Sequence, residues 1–82
     1  MKQVHVLFFA TLRDHMGLKQ ITIHLPDEAG VGELKSFLTN LKPEAGSALD
    51  SALVAINREY AFADQPIPDG AEVALFPHVS GG

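Results

Sequence analysis

The sequence predicts an α+β fold: a mixed β-sheet with one main amphipathic helix packed across one face. Three observations predict it. Short runs of alternating apolar residues recur along the chain, as half-buried strands require. A single segment, residues 31 to 41, instead carries its apolar side chains at helical spacing. The order strand, strand, helix, strand, short strand, strand leaves one helix to cover one sheet face, so the other face meets solvent.

Residues 4 to 9, Val-His-Val-Leu-Phe-Phe, suit a strand. Alternation puts Val4, Val6 and Phe8 on one face and His5, Leu7 and Phe9 on the other. Thr11 is the expected N-cap of a short helix over residues 12 to 16, ended by Gly17. Residues 20 to 25 alternate again, with Ile21, Ile23 and Leu25 inward, and Pro26 stops them. These two strands are expected to pair antiparallel. Val31, Leu34, Phe37, Leu38 and Leu41 form the stripe of the main helix, and Pro43 follows as a stop. Residues 44 to 52 are small and Ala-rich, with room for a short helical turn. Residues 53 to 56 make the next strand, Asn57 suits the left-handed backbone of a tight turn, and residues 59 to 61 return. After the loop Gln65-Pro66-Ile67-Pro68 and a turn at Asp69-Gly70, residues 72 to 76 form the last strand.

The bulk properties bound the function. At 82 residues the chain is one small domain, and its 46% hydrophobic content suffices for a core. It has no cysteine, which removes disulfides and thiol catalysis, and the fold is compatible with a reducing compartment. The first residues lack a signal peptide's apolar run, and no apolar stretch approaches the roughly 20 residues that span a bilayer. A cytoplasmic protein is expected. Net charge is −4, from ten acidic and six basic residues. The basic residues are scattered along the sequence, which argues against nucleic acid as the main partner. Arg13 and Lys19 read as solvated cations. His5, His15, His24 and His78 have no metal-pair spacing, and no metal is expected. Asp27 and Glu28 read as acidity at a helix start. There is no glycine-rich nucleotide loop and no nucleophile beside a base.

Two features are not accounted for by folding. The outward places carry Leu7, Phe9, Ala74 and Phe76; several apolar residues on one face suggest a docking patch, with incidental exposure or partial cover by a loop as the other reading. The chain ends in Gly81-Gly82, preceded by Phe76-Pro77-His78-Val79-Ser80. Two glycines leave the terminal carboxylate unshielded by side chains, so a narrow active site could admit and modify it. Pro77 fixes its own φ and biases Phe76 to extended structure, directing the tail away from the sheet. Extended, residues 77 to 82 reach about 20 Å at ~3.3 Å per residue.

These pieces together resemble the ubiquitin-like sulfur carriers, most closely the small subunits of molybdopterin synthase. The matching segments are Val6-Leu7-Phe8-Phe9-Ala10 with Arg13, Val54-Ala55-Ile56-Asn57 with Glu59-Tyr60, and Asp69-Gly70-Ala71-Glu72-Val73-Ala74-Leu75-Phe76-Pro77 leading to Val79-Ser80-Gly81-Gly82. One position departs: the family places a second proline where this chain has His78.

The resemblance implies a β-grasp domain over residues 1 to 76 and a flexible tail over 77 to 82. It implies that Gly82 is adenylated by an ATP-dependent activating enzyme and converted by a sulfur donor to a thiocarboxylate. The large subunit of the synthase then uses that sulfur to build the molybdopterin dithiolene. This chain would be a sulfur-donating subunit of a heteromeric enzyme, a heterotetramer, with the catalytic groups on the large subunit. It would bind no cofactor of its own; ATP belongs to the activating partner. Pro77, His78, Val79, Ser80 and Gly81 would thread the tail into partners, and Phe9, Tyr60 and Phe76 would form the interface. Two other readings share the activated terminus: a carrier for thiamine thiazole or tRNA thiolation, and a ubiquitin-like protein modifier.

Overall fold

The computed structural model describes residues 1–62 and 65–78. Five strands form one sheet in the order β2-β1-β5-β3-β4. They are β1 (Lys2–Phe8), β2 (Gln20–Leu25), β3 (Leu53–Ile56), β4 (Glu59–Ala61) and β5 (Glu72–Phe76). The chain's last strand therefore lies in the middle of the sheet. It runs parallel to β1, with His5 opposite Glu72 and Leu7 opposite Ala74, and antiparallel to β3. β1 and β2 pair antiparallel, as the short connection between them requires.

One sheet face is covered by α2 (Val31–Leu41), the main helix at its expected bounds. Val31, Leu34 and Leu38 are buried against Val4, Val6, Phe8, Val54, Val73 and Leu75 of the sheet. Phe37 is half-buried, whereas Leu41 ends the stripe 51% exposed, beyond the sheet's cover. Two further short helices, α1 (Thr11–Met16) and α3 (Gly46–Ser51), and a 3-10 turn at Pro43–Ala45 close the same layer. Leu12, Met16, Ala45 and Leu49 from these pieces complete the core. The main helix is thus the largest of three, and the two short ones lie where a short helix and a helical turn were expected.

The caps correct one expectation. Thr11 is the first helical residue rather than the N-cap. Ala10 holds the cap position at φ 52, ψ −129, and no side chain caps the helix. The chain must turn sharply between Phe9 and Thr11 for Leu12 to enter the core, and that turn sets Ala10's left-handed φ. Gly17 ends α1 as expected, at φ 76, its N–H donating to the Arg13 carbonyl at 2.9 Å. Between β3 and β4 both turn residues, Asn57 and Arg58, have positive φ, the geometry whose twist matches a two-residue hairpin. Asn57 also locks this turn to β5. Its N–H donates to the Glu72 carbonyl at 2.8 Å, and its side-chain oxygen accepts from the Glu72 N–H at 3.0 Å.

Lys2 is a buried cation that no sequence pattern announced. It opens β1 on the inward face, 4% exposed, and its ammonium donates to the carbonyls of Asp27, Ala29 and Ile67. Its three N–H groups meet three carbonyls from two loops, so burial leaves no donor unmatched. The contact ties the start of the chain to the loop before α2 and to the loop before β5.

Candidate functional site: the outer sheet face and the root of the tail

The face opposite the helices follows from strand register. Leu7, Ala74, Ala55 and Tyr60 stand side by side across β1, β5, β3 and β4. One row further along, Leu53 stands opposite Phe76. Phe9 continues past the end of β1, its N–H donating to the Leu75 carbonyl at 3.1 Å. Its ring stacks on that of Phe76, with centroids 4.8 Å apart and planes 11° from parallel. Small Ala55 and Ala74 between larger neighbours leave a depression of about 330 Å³, lined by Leu7, Phe9, Ala55, Arg58, Tyr60, Glu72, Ala74 and Phe76.

The structure thus brings Phe9, Tyr60 and Phe76 together. Phe76 is half-buried by its stack, Phe9 is 41% exposed and Tyr60 is 75% exposed. Tyr60 belongs to this face. Two apolar residues were missed. Leu53 and Phe62, the latter 83% exposed, border a second depression with Tyr60 and Ala61 at the β4 edge. The signal was available for Leu53, because it alternates outward in a strand whose Val54 and Ile56 point inward. Phe62 follows the last residue of β4, where alternation had no further neighbour to test it.

The tail leaves from this face. Because β1 and β5 are parallel, Phe9 and Pro77 emerge at the same sheet edge. β5 is hydrogen-bonded to a strand on each side, so the root of the tail is held firmly in the sheet. Pro77 is half-buried and His78 exposed. Val79, Ser80, Gly81 and Gly82, the remaining tail residues singled out in the sequence, lie outside the described residues.

Elsewhere, a groove of about 500 Å³ runs between α2 and α3, lined by Gly32, Lys35, Ser36, Thr39, Asn40, Gly46 and Asp50. Its one cation, Lys35, is already tied to the carbonyls of Asp50 and Ala52, both at 3.0 Å. Burial lowers the Lys35 pKa, and the nearby Asp50 carboxylate partly opposes this. No nucleophile sits beside a base there. Among the described residues no cluster of His, Asp or Glu could hold a metal, and no helix is long and apolar enough to cross a membrane. His5 pairs with the Thr22 hydroxyl at 3.0 Å, and His15 and His24 are exposed.

The scattered cations of the sequence gather in space. Arg13 and Lys19 flank Leu7 and Phe9, and Arg58 lines the central depression. Three of the chain's six basic residues thus border one face.

Comparison with known proteins agrees with this geometry. A family model described as the ThiS family matches residues 6–82. A molybdopterin synthase sulfur carrier subunit from Dictyostelium discoideum is 37% identical, over 98% of this chain and 96% of its own length. The crystal structure of SAMP1 from Haloferax volcanii superposes with a TM-score of 0.84 at 28% identity, covering 98% of this chain and 99% of that one. A complex of subunits 1 and 2 of the molybdopterin-converting factor from Helicobacter pylori 26695 matches with a TM-score of 0.67 and 23% identity, over 98% and 99% of the chains, and shares the β-grasp fold.

Proposed function

This chain belongs to the ThiS family, and we propose that within it the protein is the sulfur carrier subunit of a molybdopterin synthase. The observation that carries the proposal is the full-length match, at 37% identity, to a relative of that name. The geometry supports it. A diglycine tail follows the central strand, beside the stacked rings of Phe9 and Phe76.

The chemistry follows from the end group. A carboxylate resists substitution because its leaving group would be oxide. A partner's ATP supplies AMP to the Gly82 carboxylate, releasing pyrophosphate and forming an acyl-adenylate. A sulfide equivalent from a sulfur donor adds to the carbonyl carbon, AMP leaves, and –C(O)S⁻ remains. The carrier stores sulfur covalently between two easier steps. Its own residues do two things: Phe9, Tyr60 and Phe76 dock, and Pro77 to Gly81 deliver the terminus into the large subunit. Pre-directing the tail by Pro77 reduces the entropy lost on insertion.

The test is an added residue. A chain extended by one alanine after Gly82 should fold normally and bind the large subunit, yet support no molybdopterin formation. The parent, isolated with its activating enzyme, ATP and sulfur donor, should gain the mass of one oxygen-to-sulfur exchange at the terminus. Full synthesis by the extended chain would refute the assignment of Gly82.

A second reading is favoured by one observation, the likeness to SAMP1, a small archaeal modifier protein. It predicts branched peptides joining Gly82 to lysines of other proteins, which proteolysis and mass spectrometry of cell extract would reveal.

A further inference from the structure

Among the described residues the cations around the outer face form no ion pair. Among the described residues the one ion pair joins the N-terminus to Asp27, 3.4 Å apart and away from Arg13, Lys19 and Arg58. Lys2 and Lys35 are occupied by backbone carbonyls. Arg13, Lys19 and Arg58 are all exposed, and each stands beside the apolar residues of the face. Two carboxylates share their surroundings: Glu72 in the central depression and Asp14 beside Arg13. The chain has a net charge of −4, yet among the described residues that line this face and its border the three cations outnumber the two carboxylates.

We propose that this face recognises an acidic protein surface: an apolar pocket for the Phe9–Phe76 ring pair, ringed by carboxylates that meet Arg13, Lys19 and Arg58. The proposal rests on the sulfur-carrier reading, and it assigns this charge pattern to the large subunit. The division of labour follows from charge physics. Exposed rim charges act over roughly a Debye length, about 8–10 Å at physiological salt, and set the rate and orientation of encounter. The apolar centre sets how long the complex lasts. An acidic chain approaching an acidic partner would otherwise be repelled, so a basic rim here also selects which face arrives first. Three cations around an apolar centre are too few for nucleic acid, whose affinity comes from many phosphate contacts.

The test measures association of the full chain with the large subunit from the same organism by stopped flow. Raising ionic strength from about 0.05 M to about 0.5 M should slow association tenfold or more, with dissociation changed less than about twofold. The triple variant Arg13→Gln, Lys19→Gln, Arg58→Gln should lose about tenfold in association rate at low salt and flatten the salt dependence. A control changes net charge equally on the helix-bearing layer: Ser36→Glu, Asn40→Asp, Ser47→Glu, all at exposed positions. Its rate should stay within about threefold of the parent. Association independent of salt, or equal losses in the triple variant and the control, would overturn the proposal. So would tighter, salt-sensitive binding to a single-stranded oligonucleotide than to the large subunit. Where Phe76→Ala weakens the complex but the charge variants do not, the sulfur-carrier reading stands and the acidic-partner inference falls. If no complex forms at any salt, both fall.

Discussion

Replacing Phe76 with alanine separates the roles of one ring in the fold and in docking. The ring is half-buried, stacked on Phe9 at 4.8 Å, and faces solvent rather than the helix layer. Its loss removes an aromatic pair worth about 0.5–1.5 kcal/mol. No enclosed cavity forms, because the depression it borders is open, so the cost should stay well below the roughly 3–5 kcal/mol of a buried Phe→Ala change. About 1.5 kcal/mol is the expected loss, and for a domain this size it lowers Tm by about 6–12 °C. An 82-residue domain has roughly 4–12 kcal/mol to begin with. The variant therefore stays more than about 95% folded at 25 °C, and any large loss of binding is not unfolding in disguise. At an interface centre the same ring is worth about 2 kcal/mol or more, a loss of about 30-fold in affinity for the large subunit. Calorimetric titration of the partner beside a thermal melt of the free chain reads both quantities. Phe9→Ala and the double variant complete a cycle, in which coupling in the free chain reports the stack. Unchanged affinity would refute the docking role. A fall in Tm beyond about 20 °C would place the ring in the core and refute the assignment of faces.

Three further outcomes are expected. His78 is exposed, so His78→Pro should be neutral or improve partner affinity by about 0.4–1 kcal/mol through a stiffer unbound tail; a large loss of affinity in the variant would show a specific imidazole contact instead. Lys2→Met leaves three carbonyls without their donor and should cost about 3–5 kcal/mol in denaturant unfolding; a loss under about 1 kcal/mol would mean that water replaces the ammonium freely. Burial, partly opposed by Asp50, holds the Lys35 pKa below the ordinary 10.5, so the unfolded chain binds the extra proton in the window between the two values. Stability relative to Lys35→Met should therefore rise with pH through that window, and a gap independent of pH would contradict the lowered pKa.

Much of this protein was legible in one dimension. Alternation over residues 4 to 9 and 72 to 76 assigned inward and outward side chains correctly, because a strand's period of two leaves no other choice once one face is apolar. The stripe from Val31 to Leu41 gave the main helix its observed bounds. Short-range order of this kind is written in neighbouring residues, so a single sequence carries it.

The rest depended on residues distant in sequence. That β5 enters between β1 and β3 follows from the packing of the whole sheet, and it is what places Phe76 on Phe9 and roots the tail at their edge. Ala10 holds the cap in place of Thr11 because the core draws Leu12 inward and overrides the local preference. Lys2 looked like an ordinary terminal cation until two loops, around residues 27 to 29 and at residue 67, closed three carbonyls over it. Arg13, Lys19 and Arg58 looked scattered because composition counts charges without placing them. Pairing across strands joins residues dozens of positions apart, and a charge acts through distance in space, so the cationic border of the outer face came into being only with the tertiary fold.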